Sequence, residues 1–210
     1  MALCDWGPTI DSATLPDLYA PQPPVRKFFP TPGGIDNLAL SSIDTFEIPG
    51  MGIFTVNFQG YFQVAREDTG ATSWLDFGPF VNMTDMRLRG ISPQLGQITV
   101  RLNPDIVSTG KVFPGVNNTT PAKCDIATAA QFELESNGLT LFNKIPILLM
   151  NDAIDSVPPV EDPNGEAHIY RLGLYDRNNP DGRPVAYLLS LRYTVGNYIT
   201  LEQAEEYRQW

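Results

Sequence analysis

Histidine, cysteine and positive charge are all scarce in this chain, and each shortage closes off a class of function. His168 is the one histidine in 210 residues, and Cys4 and Cys124 are the two cysteines. Two cysteines are too few for a disulfide scaffold, and their separation suits no usual zinc spacing. They pair only if the N-terminal segment folds back beside Cys124. A zinc or redox-metal centre would lack ligands, so we expect no metal and no cofactor. Lysine and arginine number 14 against 24 aspartates and glutamates, a formal net charge of −10. That field repels phosphate backbones and anionic lipid, so neither nucleic acid nor a membrane is an expected partner. Long apolar runs are missing as well. The densest, Ile145–Met150 (IPILLM), falls far short of the roughly 20 residues that span a bilayer. The first residues carry neither the basic nor the apolar region of a secretory signal, which points to the cytoplasm. No G-x-S-x-G elbow and no glycine-rich phosphate loop occurs.

What is present reads as a β protein. Charged residues make up 18% of the chain, below the roughly 25% usual in soluble domains. Hydrophobic residues make up 42%, enough for a buried core. Residues 1–37 hold seven prolines with Trp6, Leu15, Leu18, Tyr19, Phe28 and Phe29 among them. Such a segment forms neither a helix nor a central strand. It is too apolar for a solvated tail, and we expect an extended arm docked on a surface. From there to residue 199 the pattern alternates. Phe54, Val56, Phe58, Phe62 and Val64 share one parity, with polar residues between them, as in a half-buried strand. Gly60 falls on the apolar face, where it marks a bulge or a close backbone approach.

Asn137-Gly138 suits a two-residue hairpin turn, with Leu134 opposite Leu141 and Glu135 opposite Thr140. A second hairpin joins AHIYRLGLY to PVAYLLSLRYTV, with Tyr187, Leu189, Leu191, Tyr193 and Val195 on one face. Pro146 argues against a central strand in the IPILLM run, which we expect at a sheet edge. Only the end reads as helix. Thr200 and Gln203 stand at capping-box spacing ahead of a helix over residues 200–210. The expected fold is therefore all-β. It is an antiparallel sandwich or barrel over residues 38–199, with a proline-rich arm over 1–37 and one short C-terminal helix.

Two groups are candidates for chemistry. EDPNGEAHIY, Glu161–Tyr170, gathers three carboxylates, an Asn-Gly pair and the histidine. We read EDPNGE as a turn and AHIY as the start of a strand. As a catalytic set, His168 would act as general acid/base at a cavity mouth, with Tyr170 and a carboxylate such as Glu166. A lone histidine among apolar neighbours is more often a hydrogen-bonded strand residue. Asp85, Arg87 and Arg89 share the second site: facing inward, they would bind a carboxylate ligand; facing outward, they form a salt-bridged surface. The acidic stretches near Asp152–Glu166 and Asp176–Asp181 have turn composition, and Pro180 falls where a calcium loop needs an oxygen ligand.

These features favour a non-catalytic, homo-oligomeric β-domain, a structural or partner-binding subunit assembled through its arm. The alternatives are a cofactor-free barrel enzyme (isomerase, cyclase or hydratase) using His168 on an apolar small molecule, or a passive carrier of such a molecule. The interior discriminates. An enzyme or carrier needs a cavity of about 300 Å³ or more, while a structural subunit has a filled core.

Overall fold

The computed structural model describes residues 33–68, 80–115, 119–135, 138–154, 164–168 and 171–210. The proline-rich segment over residues 1–32 lies outside these. Twelve strands follow one another: β1 (Gly34–Ile48), β2 (Gly52–Arg66), β3 (Phe80–Ser92), β4 (Gly96–Leu102), β5 (Ser108–Gly115) and β6 (Thr119–Thr128), then β7 (Ala130–Leu134), β8 (Leu139–Asn143), β9 (Ile147–Ile154), β10 (Asn164–His168), β11 (Leu172–Asp176) and β12 (Ala186–Tyr198). Helix α1 (Leu201–Arg208) closes the chain. β1 begins at Gly34, so residues 34–37 belong to the sheet and not to the arm.

Every pairing is antiparallel, and β12 pairs with β1, which closes the sheet into a barrel. The long β3 is shared: β4 takes Arg87–Ser92 and β5 takes Phe80–Met83. β12 is shared in the same way, β11 taking Ala186–Leu188 and β10 taking Arg192–Thr194. Thus β4–β5, β6–β7, β8–β9 and β10–β11 are four bent strands, each broken near its middle. With β1, β2, β3 and β12 they make a ring of eight (4 + 4), each member beside its neighbour in sequence. This is an up-and-down meander barrel. Eight strands enclose an interior that side chains can fill or that one small ligand can occupy.

The breaks are stitched by buried polar groups, because a backbone group removed from both water and the ladder needs a partner. The Asn103 N–H donates to the Ala129 carbonyl (2.9 Å), and the Ala129 N–H to Ser108 Oγ (3.1 Å). The Ala130 N–H donates to Asn143 Oδ1 (2.7 Å), whose Nδ2 donates in turn to the Ile145 carbonyl (2.7 Å). Gly60 is a close approach: a Cβ there would stand 1.8 Å from the Arg87 carbonyl oxygen on β3. Only glycine lets the two strands bend together at that point.

Several local expectations are corrected. Leu134 pairs with Leu139 and Phe132 with Leu141, so four positions, and not two, separate β7 from β8; Asn137 lies outside the described residues. The Glu135 N–H donates to the Gln97 carbonyl on β4 instead of pairing with Thr140. The two-residue shift preserves the faces, and Gly138 takes the positive φ, +64°. The IPILLM run is no edge. β9 lies between β6 and β10, and Pro146 sits in the break between β8 and β9, where no ladder donor is needed. Asn164 to Glu166 are strand residues paired with β12, not a turn. On β12 the inward parity changes: Ala186 and Leu188 are buried, then Tyr193 and Val195. A register shift opposite Thr45–Phe46 makes the change.

Candidate ligand-binding site

The alternation seen in the sequence becomes an apolar lumen and a polar exterior. Along β1, Asp36, Leu38, Leu40, Ser42, Asp44 and Phe46 point inward; along β2, Phe54, Val56, Phe58, Phe62 and Val64 do. This is the reverse of a barrel whose outer face meets lipid. Among the described residues no helix is long and apolar enough to cross a membrane.

The two halves of the lumen differ. Near the short turns that follow β1, β3 and β7, large side chains fill it. Phe46 meets Phe58 and Phe132 edge to face, with centroids 6.3 and 5.4 Å apart. The void beside Leu134, Leu141 and Leu174 amounts to only about 10 Å³, roughly one water. The other half is hollow. Some 110 Å³ of it is open to the centre of a water molecule, against about 10 Å³ in the filled half and below the roughly 300 Å³ of a full-sized ligand pocket. Its wall is made by Leu40, Phe62, Met83, Met86, Leu88, Val100, Val112, Ile126, Leu149 and Tyr193, among others.

Polar groups stand at its two ends. At the mouth Asp36 is paired with Arg66, whose Nη2 donates to Oδ1 at 3.1 Å, and the Tyr198 hydroxyl donates to the same oxygen at 2.9 Å. Burial, and then the adjacent Asp36 carboxylate, push the Tyr198 hydroxyl above its usual range. At the floor, one inward position before Phe46, lies Asp44. It is 2% exposed, and its Oδ1 has no hydrogen-bond partner. Ser42 Oγ and Thr128 Oγ1, on the same lumen wall, are buried and unpartnered too. Burial pushes the Asp44 carboxyl up to about 7; nearby Ser42 offsets part of this, although its contact falls short of a well-aligned hydrogen bond. Cys124 also lines the lumen, and burial followed by Asp125 raises its thiol to about 12.

On the outer wall α1 is clasped against β2 and β3. Tyr207 stacks on Tyr61 with centroids 5.6 Å apart. Arg208 Nε donates to the Tyr61 hydroxyl (2.9 Å) and to Asp85 Oδ2 (3.0 Å), and Tyr61 itself donates to Asp85. Burial raises the Asp85 carboxyl, but Tyr61, Arg208 and Arg87 outweigh it and leave the group below its ordinary range. Arg89 lies over the Trp210 ring, 5.5 Å from its centroid.

Residues 2–205 match the family described as "Family of unknown function (DUF6073)". The chain belongs to DUF6073. The structure of DynF from the dynemicin biosynthesis pathway of Micromonospora chersina is similar, with 38% sequence identity and a TM-score of 0.77 over 94% of this chain and 96% of that one. Comparison with curated proteins finds no match.

In this DUF6073 chain the sequence candidates fall in three places. Asp85, Arg87 and Arg89 stand on the outer wall beneath or beside α1, while their neighbours Met86 and Leu88 face the lumen. The backbone of Glu166 pairs with Met150 and Arg192, and that of His168 with Leu148. Tyr170 lies outside the described residues. Among the described residues no group of three or more His, Cys, Asp or Glu is placed to hold a metal ion. The turn composition of YDRNNPDGR is realised: the Asn178 N–H donates to Asp176 Oδ1 at 2.9 Å, and the Asn179 N–H to the Asp176 carbonyl at 3.0 Å.

The floor residues escaped the sequence reading, yet a signal existed. Ser42 and Asp44 interrupt an otherwise apolar parity, Leu38, Leu40 and Phe46, on a strand whose other face is exposed or half-buried. A carboxylate at a core position is the informative exception to hydrophobic patterning.

Proposed function

We propose that the protein binds an apolar small molecule inside the barrel and releases it unchanged. The observation that carries this reading is the hollow half-lumen, whose wall is mostly aliphatic and aromatic. Pockets for small organic ligands have this make-up. A core serving only stability would be filled throughout, as it is around Phe46 and Phe132. The similar DynF comes from the dynemicin biosynthesis pathway, and a biosynthetic small organic molecule is the class of ligand we assign here. A second reading, an isomerase, cyclase or hydratase working in the same lumen, is favoured by one observation, the carboxyl of Asp44 facing the cavity.

The test uses the neutral apolar dye N-phenyl-1-naphthylamine. Fluorescence titration of the full chain should give saturable binding, and Val112→Trp, which fills the hollow half, should weaken it at least 10-fold. A Kd unchanged by Val112→Trp would place the dye elsewhere and defeat the reading. Conversion of a bound ligand on incubation would favour the enzyme instead.

A further inference from the structure

Three buried oxygens lining the hollow half have no well-aligned hydrogen bond, although Ser42 stands beside Asp44. Ser42 Oγ, Asp44 Oδ1 and Thr128 Oγ1 come from strands on different parts of the ring, β1 and β6, and all three residues line the same lumen. A buried polar group without a partner destabilises the fold, a carboxylate most of all. Other buried polar side chains have structural work, although Asn103 Nδ2 is unpartnered as well. Asn143 and Ser108 stitch the strand breaks, and Asp36 holds Arg66 and Tyr198. The floor groups do no such work. Nor do they stabilise the plug beneath them, which is Phe46 against Phe132. All three residues line the lumen, so a ligand seated there is the partner within reach.

We propose that Ser42, Asp44 and Thr128 form a recognition subsite for a neutral oxygen function, a hydroxyl or carbonyl, at the leading end of an otherwise apolar ligand. The subsite rests on the ligand-binding reading above and specifies which chemistry enters first. Two hydroxyls and a carboxyl can both donate and accept, so an alcohol or a ketone satisfies them, while a hydrocarbon end leaves them bare. Burial favours the protonated Asp44 carboxyl, which then donates to a carbonyl without placing an uncompensated charge beside the apolar wall. A cationic amine would instead require the ionised carboxylate. The charged pair at the mouth, Asp36 with Arg66, is already mutually satisfied, so the polar end of the ligand is not needed there.

Displacement of N-phenyl-1-naphthylamine by octane, octan-1-ol, octan-2-one and octylamine tests this in the full chain. Thr128→Val keeps the side-chain shape and removes one hydroxyl. Asp44→Leu removes the carboxyl, and Asp44→Asn keeps hydrogen bonding. We expect Thr128→Val and Asp44→Leu to weaken octan-1-ol and octan-2-one about 10-fold while octane changes less than two-fold. Asp44→Asn should retain most of the affinity for both oxygenated probes. If all probes change in parallel, the floor does not read the end group and the proposal falls while the lumen reading stands. If octylamine binds best and loses most in Asp44→Asn, the floor is an anionic site and the proposal is overturned. If the dye and octane fail to enter the wild-type lumen, both readings fall together. Should Asp44→Leu not fold, Thr128→Val decides alone.

Discussion

Asp44 is a buried carboxyl whose cost can be measured directly. Its carboxyl shifts from 3.8 to about 7 because it is buried without a countercharge. A carboxyl whose pKa rises on folding takes up a proton as the chain folds. Its favourable contribution is complete below about pH 3.8 and is lost as pH rises through about 7. A shift of that size corresponds to at most about 4 kcal/mol. Asp44→Asn removes the titration. Relative to wild type, the variant should therefore gain stability between pH 4 and pH 8, by up to about 4 kcal/mol. Urea unfolding of both proteins at the two pH values measures the gap, and a gap independent of pH would show that Asp44 does not titrate in this window. The same residue explains why the site was hard to read from sequence. Nothing local distinguishes an inward Asp from an outward one until the strand's face is known.

At the scale of elements, α1 is local in origin and tertiary in stability. Its start is encoded by neighbours: Thr200 Oγ1 accepts the Gln203 N–H at 3.2 Å, and Gln203 Oε1 accepts the Thr200 N–H at 2.8 Å. A helix of eight residues is nevertheless marginal alone in water. What holds it is Tyr207 on Tyr61 and Arg208 on Asp85. Arg208→Ala should cost on the order of 1 kcal/mol, because the pair is partly exposed and screened, and should loosen Trp210. Near-ultraviolet circular dichroism and the melting temperature report both. An unchanged aromatic spectrum would mean the helix is held without the arginine. Asp85 is held below its ordinary range, so this clasp contributes above that range and weakens as pH falls through the lowered value. The capping box was legible because its parts lie three residues apart. The change of face on β12 was not, because a bulge is forced by the partner strand and leaves no mark in the alternation of either strand.

For the molecule as a whole, closure of the ring matters most. A closed barrel has no free edge, so IPILLM needs no cover from an arm or a partner. The large apolar residues of the N-terminal segment each contribute roughly 1.5–3 kcal/mol when buried. We expect deletion of residues 1–32, which stops short of β1, to lower the melting temperature or to dissociate an assembly. Light scattering and thermal melts of the two chains settle this, and identical mass and stability would make the arm a dispensable tail.

The sequence by itself determined the class of fold. Period-two alternation, glycine and proline turns and one capped helix are local signals, and strands built from them have one face to bury. Sequence also set the net charge of −10, a sum that needs no structure. Tertiary structure alone decided the rest. Whether β1 meets β12 is a contact across 150 residues, so barrel and sandwich read alike along the chain. Which half of the lumen is filled depends on which side chains converge from opposite walls: Phe46 and Phe132 meet and form a plug, while Asp44 and Thr128 line the hollow half above it. A side chain's place in a cavity is set by strands distant in sequence, and that is why the lumen could not be read along the chain.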